Sequence, residues 1–363
     1  MNQELPPDFL AVLHEPVLHE DDLDAQERFF GRDAVRAFYR EAVREDARDA
    51  VLRAAAPLLS ELHPLRGGLL ALFGGALVES GADPRLLFPA TLQRMSQLLA
   101  SLAPYCAEEP MEEEEEEKED EAVPADLAAW RAAESALRAL PPAERLQIEA
   151  RRCAVDLLVL PLMAMLMRDV RNHRDLLADG ALVARIEEMA VNGTLPFDQL
   201  HFLRSAAQLA YEDELVVLLP TSQAGMIVRA HGLNNNFHAF SLLQDLFRLH
   251  VHTLGIRQAL TVRHNGEDEY GEPRDSDSAE YLWLQATAYA GGKLVAPMAW
   301  SWGEGTLREN ARRQGQLVLV ALETDDKPAR SWNGFGHVLH SEQKPHVALV
   351  RFLAPDEVAA YLA

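Results

Sequence analysis

The run Glu214-Leu215-Val216-Val217-Leu218-Leu219, the segment Pro220-Thr221-Ser222-Gln223-Ala224-Gly225 and the run Met226-Ile227-Val228-Arg229-Ala230 decide how this chain folds. Two short aliphatic and β-branched runs flank a stretch of turn formers, which is the pattern of a β-hairpin. Downstream, residues 236–254 put Phe240, Leu243, Leu246, Phe247 and Leu254 at helical spacing, a wide apolar face suited to packing on a sheet. Strands are expected at 281–288, 297–302, 316–322 and 346–352. Residues 356–362 form a closing helix, with Pro355 and two acids at its start. Between them, residues 265–279 are rich in Gly, Asp, Glu and Ser without a period and read as an exposed loop.

Upstream of the hairpin the period is helical. From 33 to 105 apolar residues recur three and four apart, with a turn expected at Pro64 and Gly67-Gly68, a short helix over 69–78, and a further helix opened by Asp83-Pro84. Helical signals resume at Pro124. Pro141-Pro142 opens a long helix running toward Asn172, which Pro161 is expected to kink or split. Two more helices are expected over 181–190 and 197–211. The class is therefore α+β: an all-α N-terminal half of short antiparallel helices, followed by a mixed or antiparallel C-terminal sheet with one packed helix. The expected divisions are a helical region over 1–106, an acidic flexible linker over 107–123, a helical region over 124–212 packing with the first, and an α+β domain over 213–363.

Composition narrows the function. The 363 residues are 48% hydrophobic and 25% charged, the profile of a folded chain, and the formal net charge is −23. Nucleic-acid binding draws its affinity from Lys and Arg on phosphates, so such a partner is not expected. Residues 108–121 hold eleven carboxylates and one lysine, a net of ten of those negative charges. With almost no apolar side chain to bury, they read as a solvated linker, or alternatively as an arm that docks on a basic partner. Only Cys106 and Cys153 are present, which fits a reducing compartment. Residues 1–10 carry acids and two prolines where an export signal has a basic stretch and an apolar core, so a cytoplasmic location is expected. The longest apolar stretch, 154–167, is interrupted by Asp156 and Pro161 and falls short of the roughly 20 residues that span a bilayer. It reads as a core helix, and no membrane partner is expected.

No motif of the common nucleotide or hydrolase families is present. Gly291-Gly292-Lys293 is followed by Leu294 where a phosphate loop needs Ser or Thr, and suits a hairpin turn. Gly303-Glu304-Gly305 and Gly334-Phe335-Gly336 lack the third glycine and the following helix of a dinucleotide turn. No cofactor is therefore expected. His14-Glu15 and His19-Glu20 place the histidines five apart with Pro16 between, where a shared zinc needs them four apart on one helix, so no metal site is expected either. His250 and His252 sit two apart and point to different sides of a helix.

Two local clusters remain. Where the hairpin passes into the helix, the sequence is His231-Gly232-Leu233-Asn234-Asn235-Asn236-Phe237-His238. Asparagine caps a helix start, which alone explains the triplet. The sharper reading makes His231, Asn234, Asn236 and His238 a polar ligand site at a helix N-terminus. The second cluster is Met298, Trp300, Trp302 and Glu304, alternating on one strand face. These aromatics are either core or a recognition face in which Trp302 and Glu304 join Trp332 and Asn333 on a partner or ligand.

Gly75-Ala76-Leu77-Val78-Glu79, Gly81-Ala82-Asp83-Pro84, residues 231–244, Trp302-Gly303-Glu304-Gly305, Ser331-Trp332-Asn333 and residues 355–362 resemble a family of bacterial proteins from GC-rich genomes that carries no assigned activity. The resemblance implies the two-part architecture and a bacterial, cytosolic setting. It transfers no site residue.

The function expected from these readings is a cytosolic protein–protein interaction factor, an accessory, adaptor or immunity-type protein whose acidic surface meets a basic or otherwise complementary protein. Two alternatives stand beside it. One is an enzyme with His231 or His238 as base, Glu304 as acid and Asn234 and Asn236 as donors. The other is a small-molecule sensor.

Overall fold

The computed structural model describes residues 5–110, 125–191, 193–233, 236–256, 261–264, 277–280, 289–290, 293–294, 306–309, 312–313, 315–321, 329–332 and 345–363. The chain divides into two compact units, Met1–Ala207 and Gln208–Ala363. Its class is α+β.

The first unit is helical. Its elements are α1 (Pro7–Leu13), α2 (Gln26–Gly31), α3 (Asp33–Arg44), α4 (Arg48–Glu61), α5 (Pro64–Glu79), α6 (Phe88–Leu102), α7 (Ala125–Ala139), α8 (Pro142–Leu166), α9 (Val170–Ala178), α10 (Gly180–Met189) and α11 (Leu200–Gln208). Helix α5 packs on α4 and α8, and α8 also packs on α6. Leu65, Leu69, Leu70, Phe73, Leu77 and Val78 of α5 are all at 0% exposure, so this helix is buried on nearly every side and forms the centre of the unit. Phe9 and Phe38 meet Phe73 at ring-centroid separations of 4.9 and 5.6 Å, binding α1 and α3 to the same centre. The apolar stretch 154–167 lies largely within α8, where Ala154, Val155, Leu158, Val159 and Leu162 are buried. Among the described residues no helix is long and apolar enough to cross a membrane.

The expected turn at Gly67-Gly68 is absent, because both glycines lie inside α5. Pro64 occupies the first turn of that helix, where proline costs nothing, and the glycines serve close packing. A Cβ at Gly68 would come within 3.0 Å of Leu157, and one at Gly75 within 2.8 Å of Pro161. Nor does Pro161 split its helix, since α8 runs unbroken from Pro142 to Leu166 and fits the proline against Gly75. The acidic run is anchored at its start: the Ala107 carbonyl accepts from the Thr194 backbone N–H at 3.0 Å, and Glu108 bridges to Gly193. The remainder of that run, from 111 on, lies outside the described residues.

The second unit is built on a sheet. Strands β1 (Ala210–Leu219) and β2 (Ala224–Leu233) form the expected antiparallel hairpin, with Val216 opposite Ile227. The further strands are β3 (Thr261–His264), β4 (Asp277–Glu280), β5 (Tyr289–Ala290), β6 (Lys293–Leu294), β7 (Arg312–Arg313), β8 (Gln316–Val320), β9 (Ala329–Trp332) and β10 (His346–Phe352), and the helices are α12 (Asn236–Leu249) and α13 (Pro355–Leu362). Five strands join in the order β10-β2-β1-β8-β7, with β1 and β8 parallel and the other pairs antiparallel, so the sheet is mixed. On one face Leu215, Val217, Met226, Val228, Leu317 and Leu319 pack with Ala239, Leu243 and Phe247 of α12. On the other, Val216, Leu218, Ile227, Val318 and Val320 pack with Val358, Tyr361 and Leu362 of α13. Burial on both faces is why residues 215–219 read as an unbroken apolar run instead of alternating.

Boundaries also differ from expectation: the helix expected to run toward Asn172 stops at Leu166, with α9 starting separately at Val170, and the helix expected to open at Asp83-Pro84 starts at Phe88. Residues 210–211, expected to end a helix, begin β1, since the register of the hairpin extends to Ala210 opposite Leu233. Residues 277–279, expected in a loop, pair in β4 with β3 on one side and β9 on the other. Helix α12 stops at Leu249 and gives way to turns that end with Gly255 at φ 65°. The expected strands at 281–288 and 297–302 lie outside the described residues.

Candidate functional site

Helix α13 covers only one end of its sheet face. At the other end the strand register lines up polar side chains: Tyr211 opposite His231, Glu214 opposite Arg229, and His346 opposite His231 on the far side of β2. Cross-strand partners point to the same face, and these continue the rows of Val216 and Ile227 that lie under α13. One sheet surface is thus apolar where α13 sits and polar where it does not.

A bulge at Tyr211–Asp213 shapes the polar end. Glu212 is the extra residue, held at φ 57° in the left-handed region, a conformation that costs of order 1 kcal/mol for a residue with a Cβ. The bulge aims the Glu212 carboxylate along the face, where Oε1 lies 2.9 Å from His231 Nδ1 and Oε2 lies 3.9 Å from Arg229 Nε. An ionised carboxylate only accepts, so Nδ1 is the donor in this pair. The His231 ring stacks on His346 at 4.8 Å and meets the edge of Tyr211 at 5.0 Å. Arg229 also reaches Glu214 at 3.4 Å, and behind the bulge Arg308 approaches Asp213 at 3.6 Å and donates to the Leu209 carbonyl at 2.9 Å. His346, Arg229 and Glu214 are exposed, while the His231 side chain is 13% exposed.

Of the residues singled out from sequence, His231 is the one whose side chain the structure describes. Asn236 and His238 lie in the first turns of α12, and Trp332 ends β9 opposite Asp277; these three are located by backbone alone. Asn234, Trp302, Glu304 and Asn333 lie outside the described residues. The companions that His231 does have, Tyr211, Glu212, Arg229 and His346, were missed in the sequence. The pairing of 231 with 211 was legible in principle by extending the hairpin register outward from the turn at 220–224. His346 was not, because the pairing of β10 with β2 spans more than a hundred residues and leaves no local signal.

His250, at the turn after α12, meets the Phe352 ring edge-on at 5.2 Å, and His252 is exposed, so the two do not act together. Among the described residues no group of three or more His, Cys, Asp or Glu side chains is arranged to hold a metal ion.

Fold and site define an α+β protein with a polar, mixed-sign patch on one sheet face. Comparison with protein-family models, curated proteins and solved structures finds no match to the chain.

Proposed function

We propose that the chain is a cytoplasmic protein–protein interaction factor of the accessory, adaptor or immunity type, and that it meets a basic partner on the sheet surface around Glu212, Glu214 and His231. The observation that supports this reading is the lattice of charged and aromatic groups spread across β1, β2 and β10. A face of this kind suits recognition, with the exposed charges of Glu214 and Arg229 setting register and the exposed His346 ring giving contact area. Arg229 holds Glu214 at only 3.4 Å and Glu212 at 3.9 Å, so each carboxylate keeps lone pairs for an incoming Lys or Arg. The net charge of −23 favours the approach of a basic protein over distances of about a Debye length, ~8–10 Å in physiological salt.

The test is affinity capture with the wild-type chain and a Glu212→Ala/Glu214→Ala/His346→Ala variant as parallel baits, followed by titration of whatever only the wild type retains. The reading expects a specific protein whose affinity falls as salt rises. A partner held equally by both baits, or at an affinity indifferent to salt, refutes it.

One observation favours an enzyme instead: Glu212 holds the His231 ring in place through Nδ1, as a carboxylate does for a catalytic histidine. That reading requires His231→Ala to abolish the biological activity of the chain while leaving partner binding intact.

A further inference from the structure

The helical unit carries a groove of about 550 Å³ between the end of α2, α3 and α5, lined by Phe30, Val35, Tyr39, Phe73 and Ala76 together with Arg40 and the paired Asp33 and Arg36. We propose that this groove binds a small organic acid with an apolar body, the hydrocarbon lying on Phe30, Tyr39 and Ala76 and the carboxylate on Arg40. The volume lies in the range of small-molecule sites. The walls are fixed: the Tyr39 hydroxyl is tied to Ser80 and to the Ala76 carbonyl, and the Tyr39 ring stands edge-on to Phe73 at 6.0 Å.

Charge selects the ligand. Arg36, Arg40 and Arg44 sit four apart on α3 and form one stripe, an arrangement in which like charges repel. Arg36 is neutralised by Asp33 at 2.7 Å and Arg44 by Glu45 at 2.9 Å. Arg40, between them, donates through Nε to the Arg36 carbonyl, and among the described residues its terminal amino groups meet no carboxylate. At the mouth of an apolar groove, a guanidinium with no carboxylate beside it is free to take an anion from outside. A planar carboxylate matches its paired donors.

The experiment is calorimetric titration of the full chain with octanoate and with phenylbutyrate, using octanol and phenylbutanol as their uncharged twins. Arg40 is exposed and outside the core, so Arg40→Gln preserves the fold; Ala76→Phe, checked by circular dichroism, fills the groove. Saturable one-to-one binding of an acid is expected, weakened about tenfold or more for the alcohol and for Arg40→Gln, and lost in Ala76→Phe. No saturable binding of either acid, equal affinity for acid and alcohol, or an Arg40→Gln affinity within about twofold of wild type each overturns the proposal. Should Ala76→Phe fail to fold, the comparison of acid with alcohol and the Arg40→Gln titration decide it alone.

Discussion

Gly75 lies against Pro161 so closely that a Cβ at position 75 would stand 2.8 Å from the proline Cα. This contact is where α5 and α8 cross, and the neighbour is backbone and ring, neither of which rotates away. Gly75→Ala is expected to lower stability by about 1–3 kcal/mol, the usual cost of overpacking a tight core. Gly180→Ala, where nothing stands within 4 Å of the added Cβ, is the control and should change little. Urea unfolding of the two variants checks this, and equal midpoints would remove the close crossing from the account.

His63, at the N-terminus of α5, is held below its usual pKa of 6.5, first by burial and then by Arg66, Arg94 and Arg151, while its 3.1 Å contact with Gln147 opposes the shift. The unfolded chain therefore binds a proton at a pH where the folded chain does not, and stability must fall as pH drops below 6.5. His63→Gln should flatten that slope. Urea midpoints between about pH 7.5 and about pH 5.5 report it; a wild type and variant with parallel profiles would show that His63 takes no part.

Burial and the charge of Glu188 push the Cys106 thiol up to about 12, and burial also raises Cys153 against the pull of Arg152. The thiolate is the reactive form, so both side chains should react far more slowly with an aromatic disulfide reagent at neutral pH in the folded chain than in urea. Either cysteine labelling at its denatured rate contradicts the packing described around it.

Arg351 grips Glu357 through two 2.8 Å bonds, and the Ala354 N–H donates to the same carboxylate at 2.8 Å, which lowers its pKa from 4.5 to about 2. The pair ties β10 to α13. Because the folded pKa is depressed, its contribution is present above pH 4.5 and disappears as pH falls through about 2. Glu357→Gln should loosen α13 at neutral pH and remove its acid sensitivity in that window, read as faster amide exchange across 355–363. Unchanged exchange would mean that Val358 and its neighbours hold the helix alone.

Local chemistry made most of the fold legible. The hairpin, α10, α13 and the core strands β8 and β10 follow from apolar period and turn residues that lie next to them in sequence. The errors share a physical cause, since what glycine and proline do depends on the partner. Gly67 and Gly68 look like a turn until the Leu59 carbonyl and Leu157 are packed against them, and Pro161 looks like a break until Gly75 makes room. The candidate site was legible in one residue, His231. Glu212 enters only through a bulge, and His346 only through a long-range pairing, neither of which the local sequence announces.

The central claim is that carboxylates on the open sheet face engage a partner's cations. Its most direct test is the affinity of the captured partner for Glu212→Lys/Glu214→Lys, set beside Glu27→Lys/Glu41→Lys on the helical unit, which changes net charge equally. A loss of about tenfold or more for the sheet-face pair, with the helical pair within about twofold of wild type, is the predicted result. Equal losses for both pairs, or none for the sheet face, would contradict it.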